Sequence, residues 1–245
     1  MGESEEALIV IPTYNEAGSL EPLVREILAL PVAFDIVVVD DNSPDGTGEI
    51  AERLAHELPA VHVLHRPGKQ GLGTAYIAGF RWALTQGYRY MLEMDCDFSH
   101  HPRYLPAFLE LIQEADLVIG SRYIQGGGTA NWGLLRKLIS SGGNWFARTM
   151  LGLHAHDCTG GFRCYRREMI ERVPWEEINL RGYGFQIGAI YHVERLGGRV
   201  VEFPIVFEDR RVGRSKMNSA IVIEAFGFVT RLALSRASRR RARQS

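Results

Sequence analysis

Asp95 and Asp97, in Glu93-Met94-Asp95-Cys96-Asp97, are the side chains whose type and spacing most directly suggest chemistry. A D-x-D pair at the carboxyl end of a strand lets two carboxylates reach one hard cation in an oxygen-rich shell, such as Mg²⁺ or Mn²⁺. Such a cation can bridge the two phosphates of a nucleotide sugar and stabilise a departing diphosphate. The plain alternative is a solvated acidic loop; the position directly after the apolar run Tyr90–Met94 favours the metal. His100 and His101 follow, but neighbouring residues do not share a helix face and Pro102 begins a helix there. Both histidines therefore read as helix N-terminal structure.

Three other clusters also follow apolar runs. Pro12-Thr13-Tyr14-Asn15-Glu16 reads either as a turn capped by Asn15, with Glu16 favoured by the helix dipole, or as a nucleoside contact. In the second reading Tyr14 packs on a base or ribose and Glu16 accepts hydrogen bonds from it. Asp40-Asp41 places two carboxylates at a strand end, which is costly unless they are paired or face a ligand, whereas Asp45-Gly46 is an ordinary turn signal. Arg122, in Gly120-Ser121-Arg122-Tyr123, has the forked geometry that suits phosphate. Further on, Asp209-Arg210-Arg211-Val212-Gly213-Arg214-Ser215-Lys216 holds one of only three lysines. It reads as a solvated loop or, given Gly213 and the closing Ser-Lys, as a mobile basic loop that folds over a diphosphate.

The elements that must position these groups follow from hydrophobic patterning. Ala7–Ile11, Asp35–Val39, Val61–Leu64, Tyr90–Met94, Leu117–Ile119 and Val200–Phe207 read as buried strands. Ser19–Leu30, Thr47–Leu58, Gly73–Gln86, Arg103–Glu114, Trp132–Met150 and Arg181–Leu196 read as helices. This alternation predicts an α/β fold with a mostly parallel sheet flanked by helices, in which ligands bind at the carboxyl ends of the strands. A single domain over residues 1–230 with a basic, flexible tail at 231–245 is expected.

The 245 residues, 46% hydrophobic and 10% aromatic, exclude low-complexity disorder. Six arginines and no acid lie between Arg231 and Ser245, so a formal net charge of −1 leaves −7 on the preceding residues. That acidic body argues against a nucleic-acid partner. Cys96, Cys158 and Cys164 lack disulfide or zinc spacing, and with no signal-peptide pattern they point to a reducing cytosol. Ala220–Leu234 is interrupted by Glu224 and Arg231 and does not span a bilayer.

P-T-Y-N-E, V-D-D-N-S-P-D-G-T, L-G-T-A-Y, M-D-C-D-F-S-H-H-P, G-S-R-Y, C-T-G-G-F-R and D-R-R-V-G-R-S-K occur in the order seen in dolichol-phosphate mannosyltransferases. The chain resembles these enzymes, also called polyprenol-phosphate mannose synthases, from about Leu8 to Phe228. They are inverting family-2 glycosyltransferases of the GT-A (Rossmann-like) fold. The resemblance implies donor binding by Pro12, Tyr14, Glu16, Val39, Asp41, Asp95, Cys96 (through its backbone) and Asp97. Asp97 matches the direct metal ligand, and Ser99 matches a further metal contact. Arg122, Arg210 and Lys216 match residues on the donor's phosphates, and Arg136 matches an arginine that receives the acceptor phosphate. Asp157 reads as structural in preference to an acceptor-site role.

The reaction so implied moves mannose from GDP-mannose to a polyprenyl monophosphate with Mg²⁺ or Mn²⁺ as cofactor. The alternative is the same chemistry with UDP-glucose; a saccharide acceptor would need a carboxylate base that is hard to find. A phosphate monoester has a second pKa of about 6, so its oxygen is already ionised at neutral pH and needs no general base. A lipid acceptor also gives the C-terminal amphipathic helix, Ala220–Leu234, and the arginine tail a membrane surface to bind, in preference to a terminal core helix with a solvated tail. The expected location is cytoplasmic and peripheral, on the cytoplasmic membrane face, with room for a membrane-protein partner.

Overall fold

Apolar β-branched runs form the centre of the protein, seen here in a computed structural model that describes residues 6–178, 183–208 and 225–234. The strands are β1 (Ala7–Thr13), β2 (Asp35–Asp40), β3 (Val61–His65), β4 (Tyr90–Glu93), β5 (Leu117–Ser121), β6 (Gly128–Thr129), β7 (Arg163–Arg166), β8 (Val200–Pro204) and β9 (Val206–Phe207). The helices are α1 (Leu20–Leu28), α2 (Thr47–Glu57), α3 (Leu72–Gln86), α4 (Leu105–Leu111), α5 (Leu134–Leu151), α6 (Arg167–Arg172) and α7 (Tyr183–Arg195), with a further helical segment at residues 225–234.

Seven strands form one sheet in the order β3-β2-β1-β4-β7-β5-β8, while β6 pairs with β9 apart from it. Only β7 runs antiparallel, between β4 and β5. Strand side chains alternate between two buried layers, as period-2 geometry requires. Leu8, Val10, Val37 and Val39 face Tyr76 and Phe80 of α3 and Phe185 of α7. Ile9, Ile11, Ile36 and Val38 face Leu23 and Ile27 of α1 and Leu54 of α2. Both faces are dry, which explains why the strands read as unbroken apolar runs.

Two features differ from the sequence expectation. Arg163-Cys164-Tyr165-Arg166 is a strand despite its two arginines, because Arg163 is fully buried and donates to the carbonyl oxygens of Gln186 (2.8 Å) and Cys158 (3.0 Å). The expected strand Val200–Phe207 splits in two. Its first part pairs with β5 as far as Pro204, and Val206–Phe207 turns to pair with Gly128–Thr129. Among the described residues no helix is long and apolar enough to cross a membrane.

Candidate active site

The carboxyl ends of β1 and β2 are tied into one platform. Asp40 is buried and accepts hydrogen bonds from Thr13 Oγ1 (2.9 Å), Ser43 Oγ (2.6 Å) and the Ser43 amide (3.0 Å). The Glu16 amide donates to Thr47 Oγ1 (2.9 Å) and the Ala17 amide to Asp45 Oδ2 (3.1 Å). Asn15 and Asn42 turn the chain with φ of 60° and 56°, a region that asparagine tolerates better than most residues. Asn15 is therefore a turn residue and not a helix cap; α1 starts only at Leu20.

Asp41 meets Arg66 Nε at 2.9 Å, and both side chains are under 10% exposed. Burial pushes the Asp41 carboxyl up, against the pull of Arg66. Lys69 Nζ lies 4.6 Å from the centre of the Tyr14 ring. Pro12 pairs with Val39 in the β1–β2 register. The Val39 side chain is fully buried in the core, so the expected donor contact cannot come from it; it supports the edge from beneath.

At the end of β4, Asp95 Oδ1 accepts from the Tyr76 hydroxyl (3.1 Å). Asp97 Oδ1 accepts from both the amide (3.0 Å) and Oγ (2.5 Å) of Ser99. Ser99 thus braces Asp97, a different task from that of an independent metal contact. Phe98, between them, has φ of 63°, rare for a bulky residue, and this left-handed turn folds Ser99 back onto Asp97. The Cys96 side chain is buried, which leaves its backbone to face the edge.

His100 departs from its expected role in the helix start. Its Nδ1 accepts the Asp95 amide at 3.1 Å, and its ring stacks on Phe162 with centroids 4.8 Å apart. Burial lowers its pKa, which favours the neutral ring that this acceptor role requires. His101 does cap the helix start at Pro102 through Nδ1. Behind the edge, burial pushes the Glu93 carboxyl up to about 7 although Arg163 and Gln186 oppose it.

No group of three or more His, Cys, Asp or Glu side chains is placed to hold a metal by itself among the described residues. The donor chemistry still fits a hard cation. Mg²⁺ is commonly held by one or two carboxylates, with substrate phosphate oxygens and water completing the shell. Asp95 and Asp97 offer that partial set.

At the end of β5, Arg122 is turned inward. Its Nε and Nη2 each meet an Asp157 oxygen at 2.7 Å, and Nη2 also donates to Thr159 Oγ1 (2.8 Å). The side chains are 4% and 0% exposed. The fork expected to grip a donor phosphate is closed on a carboxylate, so Arg122 is a strut in this geometry. Burial raises the Asp157 carboxyl, but Arg122 and the amides of Arg122 and Gly160 outweigh it and hold its pKa below the usual range. Asp157 is thus structural. Arg210 and Lys216 lie outside the described residues.

Arg136 opens α5, with its guanidinium 4.0 Å from the centre of the Trp132 ring. It lines an open cleft together with Trp132, Ile139, Phe146, Ile187 and Val229. A chain of side-chain contacts links the wall of this cleft to the carboxylate edge. Trp132 meets Phe207 (5.4 Å between ring centroids), and Phe207 meets His100 (5.5 Å), which holds the Asp95 amide. Sequence reasoning missed Arg66, Tyr76 and His100 as edge residues; Tyr76 lies in the L-G-T-A-Y segment, the one signal that pointed to it.

Residues 8–173 match the family described as Glycosyl transferase family 2. The undecaprenyl-phosphate mannosyltransferase of Micrococcus luteus is 49% identical over 228 residues, 93% of this chain and 94% of the relative. The polyprenol monophosphomannose synthase of Mycolicibacterium smegmatis is 44% identical over 224 residues, 91% of this chain and 84% of the relative. In structure, mannosyl-3-phosphoglycerate synthase from Rubrobacter xylanophilus superposes with a TM-score of 0.66 at 22% identity, covering 97% of this chain and 75% of that one. A mannosyltransferase from Pyrobaculum calidifontis, solved with GDP-Man and Mn²⁺, gives 0.59 at 15% identity with the same coverage. At such identities these structures speak for the fold alone, which is GT-A. With its family shown by sequence over most of its length, the chain belongs to glycosyl transferase family 2.

Proposed function

We propose that the protein transfers mannose from GDP-mannose to a polyprenyl monophosphate, acting peripherally on the cytoplasmic face of a membrane. The observation that carries this reading is the apolar cleft with Arg136 on its wall, joined through Trp132, Phe207 and His100 to the Asp95–Asp97 edge. A lipid phosphate needs an apolar wall and a cation together, close to the donor. The names of both curated relatives supply the acceptor class and the sugar.

In this reading the β1–β2 platform holds the nucleoside, with Tyr14 and Glu16 on one side and Asp41, fixed by Arg66, on the other. Asp97 and Asp95 hold a divalent cation, Mg²⁺ or Mn²⁺. When bound, that cation neutralises charge on the departing diphosphate. Ser99, Tyr76 and His100 keep the two carboxylates and their turn in place. Arg136 draws the acceptor phosphate in against its repulsion from the donor. An acceptor phosphate oxygen attacks the anomeric carbon opposite the diphosphate. The new C–O bond forms as the old one breaks, and GDP leaves with the electron pair. No proton needs to move, so the lack of an assigned general base is consistent with the chemistry. Arg210 and Lys216 are assigned to the departing phosphates on the resemblance.

The test supplies labelled GDP-mannose or labelled UDP-glucose with polyprenyl phosphate and measures label extracted into organic solvent. Mannose label is expected in the lipid fraction and glucose label is not. Comparable or greater incorporation of glucose would replace the proposed donor.

A further inference from the structure

Trp132 is a buried aromatic residue that the core does not use. It is 8% exposed, yet it belongs to neither of the two apolar layers that cover the sheet. Local structure puts it where it is. Gly128–Thr129 pairs with Val206–Phe207, and the Ala130 amide extends that pairing by donating to the Phe207 carbonyl (2.8 Å). Asn131 then turns the chain with φ of 61°, and Gly133 stands at the N-cap of α5. Between the two, the Trp132 ring meets Phe207 edge-on, with the ring planes 75° apart.

The ring also has two cations for neighbours. The Arg136 guanidinium lies over it, 4.0 Å from its centre, and that of Arg122 is 5.8 Å away. Arg122 is closed on Asp157, a carboxylate that cancels its charge. The hold on Arg136 differs in kind. An aromatic face attracts a guanidinium through its quadrupole and carries no net charge, so it fixes the group without cancelling the charge that a phosphate would meet. Trp132 further carries a buried Nε1–H with no hydrogen-bond partner among the described residues. Folding rarely leaves such a donor unpaired, which marks a place built for more than packing. The rest of the cleft is apolar and includes Ala225, Phe226 and Val229 of the C-terminal helical segment. The sequence placed a membrane-facing helix there, but Phe228 and Val229 are buried against the domain, and residues 235–245 lie outside the described residues.

We infer that Trp132 is a positioning residue for the acceptor phosphate, its ring being the seat that holds Arg136 at the cleft wall. The inference rests on the transferase reading in taking that phosphate to be a prenyl monophosphate. Trp132 acts through Arg136, so its loss should weaken binding of the phosphate far more than binding of the prenyl chain. A tryptophan that merely walled the cleft would affect both alike.

The experiment measures, by calorimetry on the full chain, the affinities for farnesyl phosphate and for farnesol, and takes their ratio as the preference for phosphate. Mannose transfer from GDP-mannose to farnesyl phosphate is followed in parallel. The ratio is insensitive to partial unfolding, which lowers both affinities together. Trp132→Leu is expected to lower it about tenfold and Trp132→Phe, which keeps a ring face, by about threefold or less. On an Arg136→Ala background, Trp132→Leu should lower it no further, because the residue through which it acts is gone. An unchanged ratio in Trp132→Leu would overturn the assignment, as would a phenylalanine variant no better than the leucine one. A further full loss on the Arg136→Ala background, or a wild type without preference for the phosphate, would also overturn it. A wild-type preference that Trp132→Leu abolishes, with no mannose transferred by the wild type, would count against the transferase reading and still support the seat.

Discussion

Asp97→Asn is expected to lower turnover at least about a thousandfold while the protein stays folded, because it removes the charge that anchors the diphosphate's counter-ion and leaves the turn intact. The asparagine oxygen can still accept the amide and hydroxyl of Ser99, the two bonds that Asp97 Oδ1 accepts from its neighbour. The melting temperature should therefore stay close to that of the wild type, and added Mg²⁺ or Mn²⁺ should not restore the rate. Steady-state transfer over a wide metal titration checks this. A variant within tenfold of wild-type turnover would remove Asp97 from the chemistry.

Asp157→Ala is expected to cause the largest loss of stability. The change strips the forked partner from Arg122, a guanidinium whose side chain is 4% exposed, and leaves the amides of Arg122 and Gly160 without their acceptor. Removing one member of a buried ion pair typically costs about 3–5 kcal/mol. For a domain of this size that corresponds to a fall of about 6–20 °C in melting temperature. Joint replacement of Arg122 and Asp157 by leucine should cost less than the sum of the single changes, because no charge is then stranded. The folded-state pKa of Asp157 is lowered, so its contribution is present above the unfolded carboxyl value and fades as pH falls through the folded one. Denaturant melts of the wild type, Asp157→Ala, the two single leucine variants and the double leucine variant at neutral and acid pH measure both effects. An Asp157→Ala variant as stable as wild type would mean that the pair is not a structural strut.

The sheet was legible because its strands are dry on both sides: Ile9, Val37 and Leu92 each read as core from composition alone. β7 was not, since its arginines look solvated until the carbonyls that receive them are placed by distant parts of the chain. Arg163 depends on Gln186, and Arg166 on the carbonyls of Ala115 and Ile112. The candidate site divides in the same way. Asp41, Asp95 and Asp97 stand directly after strands, and their types alone announced them. Arg66, Tyr76 and His100 act on those carboxylates or their turn from neighbouring elements, and only the packing brings them there. Arg122 shows the converse, since its position after β5 was legible and its commitment to Asp157, 35 residues away in sequence, was not.

The surface is the least legible part. Patterning identified α5 as a helix, but which face it buries depends on Ser140 and Asn144 finding partners at Tyr123, Cys158 and Thr159. Those bonds turn Leu134, Leu135 and Leu138 outward.

The central claim is that a lipid phosphate, and not a hydroxyl, receives the sugar, which is why no general base is assigned. Its most direct test offers labelled GDP-mannose to the protein with polyprenyl phosphate in one reaction and the free polyprenol of the same length in another, with Mg²⁺ present. The account predicts labelled lipid from the phosphate and none above background from the alcohol. Transfer to the alcohol at a comparable rate would contradict it.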